Sequence, residues 1–186
     1  MKELIAQIEQ YQPVNEQESR DQRIFLNWLQ SGQNLLTRDN ETAHLTASAW
    51  VVNPDRSKVL MVYHNIYKSW SWLGGHADGN PNLLQVAIKE VCEESGLQSV
   101  HPVSEDIFSL ELLCVNGHDK NGIYIPSHLH LNVTYLLEAN PEDNLRIKPD
   151  ENSGVAWILT DQIAQNSSEP WFVERIYSKL ISKCRA

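Results

Sequence analysis

Apolar residues recur at helical spacing near both ends of the chain and once near its centre. Leu4, Ile5 and Ile8 line one side of a helix predicted over residues 1–11, which Pro13 ends. A second helix is predicted over residues 15–30, because an apolar stripe runs through this segment until Gly32. Further helices are predicted to end at Gly96 and to cover residues 161–163 and 171–183.

Between these helices the apolar positions alternate or form short continuous runs, which is typical of β-strands. Strands are predicted over residues 45–53, 58–64, 70–73, 107–115, 128–138 and 155–159. Strands around one central helix, with more helices at both ends, predict a mixed α/β class. We expect residues 1–40 to form a helical extension that packs on a main domain of residues 41–186, because the extension alone has little core.

Charge and cysteine content restrict the classes of function. The 186 residues include 15 basic and 24 acidic side chains, which gives a formal net charge of −9. This balance argues against nucleic acid or an anionic membrane as partner, but it permits a phosphorylated small molecule that a cation accompanies. The three cysteines lack the spacing of a zinc site, and no apolar run reaches bilayer length. We therefore expect free thiols and a cytoplasmic protein.

Three glutamates, Glu90, Glu93 and Glu94, crowd the last two turns of the central helix. At i, i+3 and i+4 they share one face, where each like-charge pair costs about 0.2–0.5 kcal/mol. One interpretation is a solvated helix face. The other is a divalent-metal site, since Mg²⁺ and Mn²⁺ prefer carboxylate oxygens. The opposite face favours the metal site, because an apolar stripe would hold the helix on a sheet: Leu83, Leu84, Ala87, Ile88 and Val91.

A glycine-rich segment with Gly74, Gly75 and Gly79, which we predict to be a loop, directly precedes this helix. Glycine permits close backbone approach, and such a segment next to a carboxylate helix rarely arises by chance. From Gly75 to Leu97 the sequence resembles the Nudix box, G-x5-E-x7-R-E-U-x-E-E-x-G-U, in which U is a bulky apolar residue. Seven of its nine fixed positions match. The departures are Lys89 in the Arg position and Pro81 in the position of the loop Glu.

The resemblance implies a Nudix-like α/β/α sandwich with a mixed β-sheet and an N-terminal helical extension. It implies a metal-dependent pyrophosphohydrolase that cleaves the phosphoanhydride of a nucleoside diphosphate linked to another group. In that family the helix glutamates bind divalent metal. Glu90, Glu93 and Glu94 are therefore the expected metal ligands, with Mg²⁺ or Mn²⁺ as cofactor, and Glu93 and Glu94 are expected to be catalytic.

Some Nudix hydrolases also carry a glutamate on a late loop that activates water, and Glu151 resembles it in position. General-base catalysis requires a carboxylate within hydrogen-bond reach of that water. We therefore predict Glu151 as a third catalytic residue. The alternative is a plain exposed acidic loop, since Asp150 and Glu151 follow Lys148 and Pro149.

Alternation along residues 128–138 places polar side chains, beginning with His128 and His130, on one side of a strand. This polar side would line the substrate cleft, face solvent, or bind zinc through the His-x-His pair, although the sequence signals no third ligand. We predict substrate contacts from His128 and His130, and from Gly75 and His76 in the glycine-rich segment.

Two other functions stay open. A Nudix-like sensor would bind a nucleotide-like ligand without cleaving it, and the complete glutamate trio argues against this. An isoprenoid diphosphate isomerase would require a catalytic cysteine, whereas Cys92 lies off the glutamate face. The sequence does not identify the diphosphate substrate, and the N-terminal helices are compatible with a role in specificity or in a homodimer interface.

Overall fold

The computed structural model describes residues 1–120 and 122–185 of the chain. Two helices come first, α1 (Lys2–Gln10) and α2 (Glu16–Gln30). The other elements are, in chain order, β1 (Ala43–Val52), β2 (Lys58–His64), β3 (Ser69–Ser71), β4 (Leu73–His76), α3 (Leu83–Ser95), β5 (His101–Pro102), β6 (Ser109–Val115), β7 (His118–Lys120), β8 (Ile123–Ile125), β9 (His128–Glu138), β10 (Asn152–Leu159), α4 (Ile163–Asn166), α5 (Pro170–Phe172), a π-helical turn (Val173–Tyr177) and α6 (Ser178–Arg185). Within the described ranges, no helix combines the length and the apolar run needed to cross a bilayer.

A mixed eight-stranded sheet forms the centre of the fold. Its main path runs β10-β2-β1-β9-β5, and β3, β4 and β6 pair with β2, β1 and β9. β1 and β9 are parallel, while the other pairs in this sheet are antiparallel. Ala47 and Val51 of β1 belong to the core that includes α3, whereas Trp50 and Val52 belong to the core beneath α6. Helices thus cover both faces of the sheet, which is the α/β/α sandwich that the sequence predicts.

The local sequence explains both ends of α3. The side chain of Asn82 accepts a hydrogen bond from the backbone N–H of Gln85 and so caps the first turn. Gly96 ends the helix in the left-handed conformation, with φ at 76°, which glycine adopts without a steric penalty. Between these ends the helix buries an apolar face that contains Leu83, Val86, Ala87 and Val91. The helix is therefore held against the sheet along most of its length.

The structure corrects several predicted boundaries. The strand predicted over residues 70–73 is two strands, β3 and β4, and Gly74 and Gly75 lie in β4 rather than in a loop. These glycines pair with Ser48 and Ala47 of β1. The helix predicted over residues 161–163 instead covers Ile163–Asn166. The short strands β5, β7 and β8 escape the prediction, because two or three residues carry too little periodicity to be read.

The N-terminal helices share the core of the main sheet. Leu4 and Ile8 of α1, with Phe25 and Leu29 of α2, belong to the same buried cluster as Leu45 of β1. α2 begins at a side-chain cap, since Asn15 accepts a hydrogen bond from the backbone N–H of Glu18. These contacts agree with an extension that packs on the rest of the chain, and the division at residue 40 stays a prediction.

A buried ionic network joins α2, α6 and the sheet. Lys179 of α6 donates to Glu111 of β6, with 2.9 Å between Nζ and Oε1, and its Nζ lies 3.2 Å from Oε1 of Glu18. The Lys179 side chain is only 5% exposed, and both glutamates are fully buried. Asn132 and Thr134 of β9 donate to the second carboxylate oxygen of Glu111. The charges are tolerated because each has partners.

Strand β4 packs against α3 with no room for a side chain at Gly75. A Cβ atom added there would lie 2.5 Å from Cδ of Glu90 and 2.8 Å from both of its carboxylate oxygens. The backbone of Gly75 is outside the left-handed region, so glycine is required here for space and not for conformational freedom.

Replacing Lys179 by methionine should destabilise the fold strongly. Lys179→Met leaves Glu111 and Glu18 buried without their shared cation, and breaking a buried pair typically costs about 3–5 kcal/mol. Urea unfolding followed by circular dichroism measures the loss. Arg175→Met is the matched control, because Arg175 and Glu174 form an exposed pair worth about 0–1 kcal/mol. Equal losses in the two variants would contradict the structural role assigned to the network.

Replacing Gly75 by alanine should destabilise the protein through a clash with Glu90. The clashing atoms are the far end of a flexible side chain that can turn aside, so the cost should lie at the low end of the ~1–3 kcal/mol typical of overpacking. The same substitution in a Glu90→Ala background should cost much less, since the clashing carboxylate is gone. Thermal unfolding of the four proteins in this cycle measures the difference. An unchanged cost in the Glu90→Ala background would show that the close approach of β4 and α3 is not the cause.

Candidate active site

Glu94 is held inside the protein near the end of α3. The residue is 5% exposed, and its Oε2 accepts a hydrogen bond of 3.0 Å from the backbone N–H of Gly74 in β4. Burial raises the pKa of Glu94 to about 8; the Gly74 N–H opposes this rise, and the charges of Glu90 and Glu151 add to it. The carboxyl group is therefore fixed in position by β4 but poorly stabilised as an anion.

Glu90 and Glu93 occupy the more open part of the same helix face. The side chain of Glu90 is 15% exposed, and that of Glu93 is 41% exposed. Burial raises the pKa of Glu90, the charge of Lys89 opposes the rise, and that of Glu93 adds to it. Lys89, which stands in the Arg position of the box, lies at the surface with its Nζ 3.2 Å from Oε1 of Glu93. An ammonium in this position provides a point charge, without the forked geometry of arginine.

Glu151 approaches the glutamate face from the loop before β10. Lys148 links the two, since its Nζ lies 3.0 Å from Oε1 of Glu151 and 3.7 Å from Oε2 of Glu93. Asn152 holds this loop on the helix: its Nδ2 donates to the backbone carbonyl of Glu94 at 2.9 Å, and its Oδ1 accepts from the backbone N–H of Lys148. Asn152 was not predicted from the sequence, because one asparagine at the start of a strand carries no signal of its own.

The resulting group of carboxylates fits a hard divalent cation. Glu90 and Glu94 are shielded from water, and the pKa of each is raised by burial and by neighbouring acidic charges. A divalent cation offsets this repulsion, and carboxylate oxygens are the donors that Mg²⁺ and Mn²⁺ prefer. Glu93 adds a more exposed carboxylate to the set, on the side where Lys148 and Glu151 lie.

The predicted substrate-contact residues, two on β4 and two on β9, are divided between the two faces of the sheet. Gly75 faces Glu90, and because successive strand residues point to opposite faces, His76 lies on the other side of the sheet. There it meets His130, with 4.9 Å between the ring centroids, and His130 is in turn 3.1 Å from His128 between their Nε2 atoms. Burial, reinforced by neighbouring histidines, lowers the pKa of His130 to about 2.

A fourth histidine, His44, lies beside these three. It was not predicted from the sequence. It lies on β1, directly opposite His130 of β9, and burial lowers its pKa. The alternation of His44, Thr46 and Ser48 with small or apolar residues is the signal that could have revealed it. Asn132, farther along β9, is buried and accepts hydrogen bonds from Thr46 and Ser48. The solvent-facing interpretation of this side of β9 is therefore wrong there.

Comparisons with known proteins agree with this architecture. The chain matches the sequence model of the family described as NUDIX domain over residues 42–180. No curated protein matches its sequence.

Solved structures with similar folds include a C. elegans Ap4A hydrolase, with 17% identity, 76% of this chain and 94% of that chain covered, and a TM-score of 0.53. The M. smegmatis Nudix hydrolase RenU gives 16% identity, coverage of 76% and 86%, and a TM-score of 0.55. The NUDIX domain of Shewanella oneidensis NrtR complexed with ADP ribose has 17% sequence identity and a TM-score of 0.53, with 86% of this chain and 95% of that chain covered. At these identities the likeness establishes the fold.

The family match covers most of the chain, including the box from Gly75 to Leu97, Glu151 and the strand β10 that follows it. The chain therefore belongs to the NUDIX domain family and is a Nudix-type hydrolase that acts on diphosphate bonds.

Proposed function

We propose that this hydrolase cleaves the phosphoanhydride of a nucleoside diphosphate linked to another group, and that it requires Mg²⁺ or Mn²⁺. The observation that carries the proposal is the convergence of Glu90, Glu93 and Glu94 with Glu151. Lys148 contacts both Glu93 and Glu151, and the charge of Glu151 contributes to the raised pKa of Glu94. Such a group provides several anionic donors on one side of α3, next to a further carboxylate that Lys148 pairs with.

The glutamates of α3 are the residues that would hold the cation. A bound Mg²⁺ would neutralise the diphosphate and make a water molecule more acidic. Glu94 is fixed by the Gly74 N–H and Glu90 by the close approach of Gly75. Because β4 contacts both carboxylates, we expect little reorganisation of them on binding.

Glu151 is our candidate for the group that accepts the proton of the attacking water. Its side chain is 41% exposed, so solvent reaches it. The ammonium of Lys148, 3.0 Å away, also lies 3.7 Å from Oε2 of Glu93 and so holds Glu151 toward the glutamate face. Asp150 precedes it on the same exposed loop, without a contact that places it at the cluster in the described part of the chain.

The substrate class is inferred from chemistry and fold. An Ap4A hydrolase and a NUDIX domain that binds ADP ribose are among the structural relatives, and both support a nucleotide-derived ligand without selecting one. We place the protein in the cytoplasm, because Cys92, Cys114 and Cys184 are free thiols. Cys92 packs against the core and burial raises its pKa, which disfavours the isomerase.

Turnover should depend on added metal and on the glutamates. Protein stripped with EDTA should release no product from a panel of nucleoside diphosphate derivatives, and Mg²⁺ or Mn²⁺ should restore phosphate-ester products, measured by liquid chromatography and mass spectrometry. Glu93→Gln and Glu94→Gln should abolish this activity. Activity that persists in both variants would refute the site, and tight binding of a nucleotide without any turnover would favour a sensor.

The role of Glu151 is separable from that of its neighbour. Glu151→Gln should lower kcat by about 10²–10⁴-fold, the usual contribution of a general base, with metal affinity largely retained. Asp150→Asn is the matched control on the same loop and should change kcat by less than about threefold. If the two variants behave alike, another group accepts the proton.

Stability of the metal-free protein should report the burial of Glu94. The pKa of Glu94 is about 8 in the folded protein against an ordinary 4.5. Protonated Glu94 therefore adds to the free energy of unfolding below pH 4.5, and this contribution is lost as pH rises through 8. In EDTA, Glu94→Gln should therefore gain melting temperature relative to the native protein between about pH 5 and pH 8. Glu93→Gln, at an exposed position on the same helix, is the control. Excess Mg²⁺ should stabilise the native protein and not Glu94→Gln. A melting-temperature difference that does not change with pH would contradict this account.

A further inference from the structure

Four histidines from three strands gather on the face of the sheet opposite the glutamates. The ring centroid of His44 lies 5.1 Å from His76, 4.8 Å from His128 and 5.0 Å from His130. The strand register produces this grouping, because His130 is opposite His44 and His76 is opposite Thr46, two residues farther along β1. One ligand nitrogen from each of His44, His76 and His130 lies within 4.8 Å of the other two.

His44 carries a buried nitrogen that the fold leaves unused. The residue is 4% exposed, and its Nδ1 lies 3.0 Å from the backbone carbonyl oxygen of Asn40. A carbonyl only accepts hydrogen bonds, so Nδ1 carries the proton and Nε2 carries the lone pair. In the described part of the chain, Nε2 is buried and has no hydrogen-bond partner. Buried polar atoms rarely lack a hydrogen-bond partner unless a bound water or ion supplies one.

A hydrogen bond between His128 and His130 fixes the tautomer of His130 and so orients a second lone pair. Nδ1 of His128 lies 2.8 Å from the carbonyl oxygen of Pro126, so it donates and leaves Nε2 of His128 as an acceptor. Nε2 of His130, 3.1 Å away, must then be the donor. The proton-free nitrogen of a neutral His130 is consequently Nδ1. Hydrogen bonds of this kind to carbonyls and neighbouring side chains fix the tautomer and orientation of metal-binding histidines.

We propose that His44, His76 and His130 bind a divalent transition-metal ion of the zinc type, and that His128 is a positioning residue for His130. Imidazole nitrogens suit Zn²⁺ far better than they suit Mg²⁺. Zinc–nitrogen bonds of about 2.0–2.1 Å separate two ligands by about 3.3 Å in a tetrahedral site, so the three nitrogens, which lie within 4.8 Å of one another, would draw together on binding. Three protein ligands leave the fourth position for water.

This site is distinct in place and chemistry from the carboxylate group. Gly75 faces Glu90 while the next residue, His76, faces the histidines. A bound ion would therefore link β1, β4 and β9 directly behind the strand that positions Glu90 and Glu94. The inference does not depend on the proposed substrate or on turnover.

Titration with Co²⁺ tests the site, since its visible absorption reports ligand type and geometry. Excess Mg²⁺ is added to occupy the carboxylates, because it competes poorly for imidazole. The native protein should bind one Co²⁺, and Zn²⁺ should displace it. His76→Ala, His44→Ala and His130→Ala should each weaken Co²⁺ binding by more than about 100-fold. His101→Ala, at an exposed position on β5, is the matched control and should bind normally.

Two further measurements keep the proposal testable if a buried variant unfolds. Zn²⁺ should raise the melting temperature of the native protein but not that of His76→Ala, whose position is only partly buried. His128→Ala should weaken binding by about 10–100-fold, and His128→Gln should recover part of the loss, because its side-chain carbonyl accepts the His130 N–H. No Co²⁺ uptake by the native protein in excess Mg²⁺, or equal uptake by folded His76→Ala, would overturn the proposal.

Discussion

The burial of an acidic side chain among other carboxylates is the constraint on which the rest of the site depends. Glu94 is 5% exposed, and burial raises its pKa to about 8, so the chain must hold an acidic group where it is poorly stabilised. The backbone N–H of Gly74 provides one contact, and the tight packing of Gly75 prevents Glu90 from moving toward the strand. Because water reaches this group poorly, a cation has much more effect on it than on an exposed helix face.

Residues of strand β4 contribute to both faces of the sheet. Its glycines let α3 approach closely, and its final residue, His76, belongs to the histidine group on the other side. One four-residue strand therefore contacts the carboxylate set through its glycines and contributes one residue to the imidazole set. Separation by the sheet keeps the two donor sets chemically independent, while any movement of β4 would affect both.

The buried ionic network fixes the helices that lie outside the box. Lys179 connects the C-terminal helix to Glu111 in the sheet and to Glu18 in α2. A network of this kind adds little net stability over an apolar core, but it penalises any arrangement that separates its members. It therefore specifies how the terminal helices dock, which apolar packing alone would specify less strictly.

The sequence alone determined the mixed α/β class, the family resemblance and, through that resemblance, the α/β/α sandwich and the candidate metal ligands of α3, because helical periodicity, caps and the box are local patterns. Asn82, Gly96 and the three glutamates of α3 can be read without knowing any neighbour. Only the tertiary structure linked Glu151 to Glu93 through Lys148, placed Asn152 against α3 and added His44 to His76, His128 and His130. These groupings depend on strand order and register, above all on the parallel pairing of β1 with β9, and residues 86 positions apart leave no periodic trace of such a contact.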